Sequence, residues 1–295
     1  MSNDISVIIP VYNNTKEIGM TLNSLRNQNY PPDNFEIIIA DDGSPENIKD
    51  YLDKKSPAIP AAVRYFRQDD RGFRPGAARN MGIRNANGKI CLFIDCGVLL
   101  EKNCLQRHFD IHAKGSGNEV VIGYVYGMDK DSDLNEMREI VDGNSVEDAV
   151  VKMHERNMID GRESLYREHG DDLSLWPAPW IALWSLHFSA PANFLKTNSI
   201  YFDDYFNTWG CEDNDFGIQL HKKNCRYVLN REAKSIHYPP KVRSYDRLKD
   251  PEFKNNFKKN QQYIVNKYPE DEGVKLWYEA GMFKANRILL ERSGK

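Results

Sequence analysis

Residues 5–97 alternate between short continuous apolar runs and segments whose apolar residues recur at helical spacing. Residues 5–11, 35–40, 63–66 and 90–94 are the apolar runs, rich in isoleucine, valine and phenylalanine. Runs of that length without polar alternation suit strands buried on both faces. Between the first two, Ile18, Leu22 and Leu25 mark a crossover helix over residues 15–28, and residues 76–85 read as a further helix. Ser44 and Pro45, after the second run, read as the cap and first turn of another. Strand alternating with helix predicts an α/β fold, a largely parallel sheet with helices on both faces. Ligands of such sheets bind beyond the carboxyl ends of the strands. Asn13, Asp41, Asp42 and Asp95 all follow predicted strand ends, so one crevice should gather them.

A second acidic group lies far along the chain. Trp209-Gly210-Cys211-Glu212-Asp213-Asn214-Asp215-Phe216 joins an aromatic and a glycine to four acidic or amide side chains. Glycine lets backbone turn sharply and lets a ligand approach closely, and tryptophan offers a flat apolar wall of the kind sugar rings pack against. Phe216, Ile218 and Leu220 fit a helix beginning near Glu212. Carboxylates in a first turn meet the positive end of the helix dipole, so Glu212 and Asp213 are expected to stay ionised. An ionised, partly enclosed carboxylate can take a proton from an attacking hydroxyl. The plainer reading is an acidic helix start packed by Trp209 and Phe216.

Taken in order, Pro10-Val11-Tyr12-Asn13, Asp41-Asp42-Gly43-Ser44, Ala78-Arg79-Asn80-Met81-Gly82 and Phe93-Ile94-Asp95 resemble the motifs of the family 2 glycosyltransferases. Trp209-Gly210-Cys211-Glu212-Asp213 resembles the acceptor-side motif of the branch related to chondroitin polymerases and β-1,4-galactosyltransferases, and is similar to one in the polypeptide N-acetylgalactosaminyltransferases. The resemblance spans about residues 4–240 and implies the GT-A fold, a Rossmann-like nucleotide-diphospho-sugar domain with a mixed, mostly parallel sheet. It implies donor contacts from Pro10, Tyr12, Asn13, Arg79 and Asp95, with Asp41 or Asp42 on the base of the nucleotide. It assigns Trp209, Gly210 and Glu212 to the acceptor side and Asp213 to the general base. Each has a structural alternative: Asp42-Gly43-Ser44 is an ordinary turn sequence, and Arg79-Asn80 could be a solvated helix face.

The chain departs from the family at the metal motif. Asp-x-Asp is replaced by Asp95-Cys96-Gly97, and glycine has no side-chain donor for Mg²⁺ or Mn²⁺. His237, in Ser235-Ile236-His237-Tyr238, resembles the late histidine that completes the metal site in related enzymes. Either Asp95 and His237 hold Mn²⁺ or Mg²⁺ with the diphosphate and water, or little metal is needed.

Composition sets outer bounds. Net charge is −3, which gives no electrostatic footprint for nucleic acid. No Gly-x-Gly-x-x-Gly follows the first predicted strand, which argues against a dinucleotide-binding dehydrogenase. The five cysteines (91, 96, 104, 211 and 225) form no zinc-like spacing and read as reduced thiols. Residues 1–4 lack a signal-like segment, and no apolar run approaches the roughly 18 residues of a membrane span. A bacterial cytoplasmic enzyme is the expectation.

The domain is read as residues 1–240, with a nucleotide-binding half to 100, an acceptor half to 240 and an insertion over about 128–175. That charged insertion, with an acidic loop at 129–133 and an amphipathic helix at 146–158, could be a flap over the acceptor or a solvated excursion. Trp176, Trp180 and Trp184 within residues 175–184 read as a core plug ahead of an aromatic acceptor wall. Residues 241–295 read as a helical extension, basic over 241–259 with a second helix at 272–290. It could pack on the domain, pair with a second subunit, or lie on a membrane surface.

The sequence therefore predicts an inverting transfer from a nucleotide sugar, UDP-linked, to an acceptor hydroxyl on a glycan, lipid, peptide or small molecule. Rival readings are a retaining transferase, a sugar nucleotidyltransferase and a non-catalytic carbohydrate-binding protein. The nucleotidyltransferase lacks its Gly-rich, lysine-containing loop near the first strand.

Overall fold

The computed structural model describes residues 3–55, 59–242 and 244–294; Met1 and Ser2 of the amino-terminal expectation, and Arg243 of the basic stretch, lie outside the described residues. Strands β1 (Ile5–Val11), β2 (Phe35–Asp41), β3 (Ala62–Arg67), β4 (Ile90–Ile94), β5 (Val98–Leu100), β6 (Glu119–Tyr126), β7 (His187–Pro191) and β8 (Arg226–His237) form one sheet, in the order β3-β2-β1-β4-β7-β6-β8-β5. The pairs β1–β2, β2–β3, β1–β4 and β6–β8 are parallel, whereas β4–β7, β6–β7 and β5–β8 are antiparallel. Helices flank this mixed, mostly parallel sheet, which is the GT-A architecture.

Both faces of the amino-terminal half are buried, and side-chain alternation explains why its strands read as continuous apolar runs. Ile5, Val7 and Ile9 join a cluster that includes Ile18, Leu22 and Leu25 of the helix Thr15–Arg26. Ile8 points the other way, into a larger cluster with Phe93, Phe188 and Phe216. One local expectation gives way: Ser44 caps no helix. The next helix is Ile48–Lys55, where Asn47 Oδ1 accepts from the Asp50 N–H, while Ser44 Oγ accepts from the Asn13 N–H and ties two strand-end loops together.

Residues 128–175 are part of the core rather than a solvated excursion. Their helices Leu134–Asp142, Val146–Glu155 and Glu163–His169 bury Met137, Met153 and Leu165 completely. Arg162 and Asp160 form a fully enclosed ion pair at 2.6 Å, and Arg162 also donates to the Ala182 and Gly123 carbonyls. The acidic loop has local work: Asp133 caps the Leu134–Asp142 helix, and Asp129 accepts from the Ser132 N–H and hydroxyl. Trp176 and Trp180 are buried, so this segment is chiefly a plug.

Beyond β8 the chain is helical and folds back onto the domain. The helix Pro251–Lys267 lies against the Trp209 loop. The helix expected over 272–290 is broken at Gly281, whose φ of 83° leaves the right-handed region, giving Glu272–Ala280 and Met282–Ser293. Trp277 packs on Trp180 with ring centroids 5.8 Å apart, and Asn286 exchanges hydrogen bonds with the backbone of Ala178. No helix among the described residues is long and apolar enough to cross a membrane.

Candidate active site

Four polypeptide segments bring the polar residues together. β4 ends at Ile94, and the Asp95 N–H bonds the Leu186 carbonyl while Gly97, at φ 96°, reverses the chain into β5. Asp95 is thereby held in the turn between two strands. His237, the last residue of β8, pairs with Val98 across the same turn. Arg79 comes from the helix Pro75–Asn85 and is buried, as is Asn80, which exchanges two hydrogen bonds with the backbone of Phe202. A solvated face for Arg79 and Asn80 is excluded by that burial.

The fourth segment is the Trp209 loop. Gly210 (φ 96°) and Cys211 (φ 76°) both adopt positive φ immediately before the helix Glu212–Lys222. Such consecutive left-handed residues turn the chain sharply and aim the helix start. Gly210 is required for a second reason: a Cβ there would sit 2.8 Å from Phe257 Cδ2 of the helix Pro251–Lys267. Asn260 of that helix donates to the Gly210 carbonyl, and Trp209 stacks on Phe253 with centroids 5.0 Å apart. Trp209 thus has two ring neighbours from the carboxyl-terminal region, Phe253 and Phe257, the latter at 5.6 Å.

Arg79 is the hub. Its Nη2 donates to Asp95 Oδ1 at 2.6 Å, and its Nη1 lies 3.6 Å from Glu212 Oε1. Arg79 Nε and Nη1, and Glu212 Oε2, are buried without a hydrogen-bond partner. Beside Glu212, Asp213 accepts from the Asn214 N–H at 2.8 Å and from the Ser185 N–H. Burial, then the Glu212 charge, pushes the Asp213 carboxyl up to about 7. Glu212 is also raised, by burial against the opposing pull of Arg79. Loss of water thus raises both carboxyls against a helix-dipole term of about 1 kcal/mol, opposite to the direction the dipole alone would give. Asp215 turns away, held by Lys267, Tyr268 and Gln219.

The residues expected on the donor side divide into two kinds. Asp41 is buried, and its oxygens accept from the Ser44 N–H at 2.7 Å and the Tyr65 hydroxyl at 2.5 Å. Asp42 accepts from Gln68 Nε2 and the Arg74 N–H, and burial raises its pKa. Pro10 is enclosed within β1, opposite Ala40. Tyr12 is 44% exposed and donates to Asp70 at 3.1 Å, while Asn13 takes φ 52° and accepts from the Glu46 N–H. Gln68, Asp70 and Arg74 were not singled out in the sequence, since nothing local marks a polar loop residue as a partner of a distant carboxylate.

Asp95 and His237 form a donor set suited to a hard divalent cation. His237 Nδ1 lies 3.0 Å from the Tyr238 carbonyl, which fixes the ring and leaves Nε2 as the free donor. Burial lowers the His237 pKa, favouring the neutral ligand form, and Asp95 keeps Oδ2 clear of the Arg79 contact. The glycine at 97 adds nothing to that set.

The sheet topology is that of the GT-A class, and sequence comparison gives the family. The model of glycosyl transferase family 2 matches residues 6–172, more than half of the chain, and this protein belongs to that family. It is 32% identical over 237 residues to validoxylamine A glucosyltransferase of Streptomyces hygroscopicus subsp. limoneus, covering 80% of this chain and 51% of that one. It is 30% identical over 247 residues to chondroitin synthase of Escherichia coli, covering 80% of this chain and 35% of that one. The chain thus spans about half, or less, of the length of these relatives. Among solved structures it is similar to S. aureus TarS 1-349 in complex with UDP-GlcNAc, with a TM-score of 0.60 at 18% identity, covering 97% of this chain and 74% of that one. A mannosyltransferase from Pyrobaculum calidifontis in complex with GDP-Man and Mn²⁺ gives a TM-score of 0.59 at 14% identity, covering 100% of this chain and 76% of that one.

Proposed function

We propose that this chain transfers a sugar from a UDP-linked donor to an acceptor hydroxyl with inversion at the anomeric carbon, Asp213 acting as general base. The observation that carries the proposal is the Arg79 hub, which joins the Asp95 turn to the start of the Glu212 helix and leaves buried polar atoms unpartnered. Buried polar groups without partners cost about 1–3 kcal/mol each, so such atoms are suited to a ligand that supplies the missing bonds.

Asp213 takes the proton from the acceptor hydroxyl as its oxygen attacks the anomeric carbon from the face opposite the diphosphate. A carboxyl near pH 7 is matched to that task, since a base works best with a pKa close to ambient pH. Glu212, beside it, hydrogen-bonds acceptor or donor hydroxyls, and Trp209 supplies an apolar wall for the acceptor. Arg79 donates from its buried edge to the donor and keeps Asp95 oriented. Asp42 and Tyr12 receive the nucleotide base and ribose. Asp95 and His237 would hold a divalent cation, which when bound offsets charge on the departing nucleoside diphosphate. The UDP-GlcNAc complex of TarS supports a UDP-linked donor; the GDP-Man complex makes the base the point to test.

The test is a thermal-shift panel of UDP-, GDP- and other nucleotide sugars, with and without Mn²⁺, followed by product analysis with the donor that binds. Inversion requires the product's anomeric configuration, read by nuclear magnetic resonance, to be opposite to that of the donor. Retention would remove the base role from Asp213, and stabilisation by GDP-sugars alone would overturn the UDP assignment.

A further inference from the structure

Behind the active-site strands lies a polar cluster that the transfer reaction does not use. The helix Cys104–Lys114 carries Cys104, His108 and His112 at intervals of four, so all three share one face. That face meets His187 and Ser189, alternate residues of β7, and His187 in turn bonds Ser235 of β8. Cys104, His108 and His187 are all completely buried. Their three ligand atoms lie within 4.8 Å of one another. The Nε2 atoms of His108 and His187 are 3.0 Å apart, and Cys104 Sγ is 3.3 Å from His187 Nε2.

We propose that Cys104, His108 and His187 form a buried binding site for a thiophilic divalent cation, Zn²⁺ in the first instance, separate from the Asp95–His237 pair.

The spacing is the first argument. Zinc bonds of ordinary length at tetrahedral angles place two ligand nitrogens about 3.3 Å apart and a sulfur about 3.6 Å from a nitrogen. The observed separations are each about 0.3 Å shorter, so a small outward shift admits the ion.

Ring orientation is the second. Each Nδ1 is engaged by a hydroxyl, His187 with Ser235 Oγ and His108 with Ser189 Oγ, both at 2.8 Å. That leaves both Nε2 atoms converging on one point beside the thiol, as outer-shell hydrogen bonds arrange ligating histidines in metal sites.

Space is the third. A Cβ on Gly123 would fall 2.2 Å from the His187 ring, so glycine on the neighbouring strand makes the room the imidazole occupies.

Binding exchanges the thiol S–H bond for an S–Zn bond and releases the proton to solvent. Three protein ligands leave the fourth position to water. The consequence reaches the active site through the backbone. Leu186, next to His187, accepts from the Asp95 N–H; Ser185, one residue earlier, donates to Asp213; and Ser235 lies two residues from His237. A cation here braces all three supports from behind.

The site is enclosed, so metal is supplied during expression. The full chain is produced in medium supplemented with Co²⁺ or Zn²⁺ and desalted. The expected result is a thiolate-to-cobalt charge-transfer band with one equivalent of bound cobalt, and a higher unfolding midpoint for the zinc-grown protein. Band and shift are lost in Cys104→Ser and in His108→Gln, and persist in Cys96→Ser, which removes a thiol outside the cluster, and in His237→Ala, which alters the other cation pair. Wild-type protein without the band overturns the proposal without recourse to any variant. A band that survives Cys104→Ser, or vanishes in Cys96→Ser, overturns it equally by moving the thiolate elsewhere. Should Cys104→Ser fail to fold, His108→Gln carries the same comparison.

Discussion

At Asp41–Asp42 all four carboxylate oxygens have donors from the protein: the Ser44 N–H, the Tyr65 hydroxyl, Gln68 Nε2 and the Arg74 N–H. At Glu212–Asp213 the protein leaves Glu212 Oε2 and two nitrogens of the facing Arg79 without partners, and raises both carboxyls. In the first pair each oxygen already has a protein donor that fixes the shape of a loop, and a ligand can use only a remaining lone pair of Asp42. At the second, Glu212 Oε2 and the two Arg79 nitrogens keep unmet hydrogen-bonding capacity at atoms water does not reach. The contrast teaches that acidic residues of similar sequence appearance divide by whether the fold satisfies them, and that the unsatisfied pair is the better place to look for chemistry.

Breaking the second pair should have the largest effect. Asp213→Asn keeps the shape and the Asn214 and Ser185 contacts but removes the base, and turnover should fall about 10²–10⁴-fold while donor affinity, measured by calorimetry, stays within error. Near-normal turnover would return Asp213 to a structural role. The same variant has an opposite effect on stability. The Asp213 pKa is raised on folding, so its contribution is fully present below the unfolded value of 3.8 and is lost as pH rises through about 7. Urea unfolding should therefore find Asp213→Asn more stable than wild type at pH 8, with the margin shrinking towards pH 4.

Arg79→Met sharpens the comparison from the other side, by leaving Asp95 and Glu212 without their shared cation. Removing one member of a buried ion pair should cost about 3 kcal/mol, visible as a lower urea midpoint, and UDP should no longer raise the unfolding temperature. A variant as stable as wild type would show that the hub contributes nothing net.

The satisfied pair predicts a smaller effect. Asp42→Ala should weaken UDP binding roughly tenfold by calorimetry, the value of one charge-assisted hydrogen bond, with turnover at saturating donor little changed. The analogous loss in an Asp41 variant should appear in stability instead, because Asp41 is enclosed by its own neighbours. The smallest effect is expected at Trp209→Ala. Loss of the stack on Phe253 should cost about 1 kcal/mol of stability, and the acceptor KM should rise more than that of the donor.

Much of the fold was legible because its strongest signals are local. Residues 5–11, 35–40 and 90–94 read as buried strands because both faces of the sheet are covered, and that leaves no polar alternation to confuse the reading. The family followed from short motifs whose order along the chain is itself sequence information. Less was legible wherever the outcome depends on a distant partner. Ser44 looked like a helix cap, yet its hydroxyl serves Asn13 on another loop. The charged stretch 128–175 read as a flap or a solvated excursion, yet Arg162 and Asp160 pair with each other inside the core. Cys104 reads with the other four cysteines as a reduced thiol in no zinc-like spacing, because its companion His187 is remote in the sequence.

Chain order and residue type by themselves determined the alternation of strands and helices, the strand-end positions of Asn13, Asp41, Asp42 and Asp95, and the acidic start of the Glu212 helix. Tertiary structure alone decided which carboxylates are satisfied, that Arg79 links Asp95 to Glu212, and that Asp213 is pushed towards neutrality. Backbone preference and apolar periodicity act over a few residues, so sequence carries them directly. Desolvation and ion pairing depend on what the rest of the chain places within a few ångströms, and that is settled only when the sheet and the carboxyl-terminal helices close around the site.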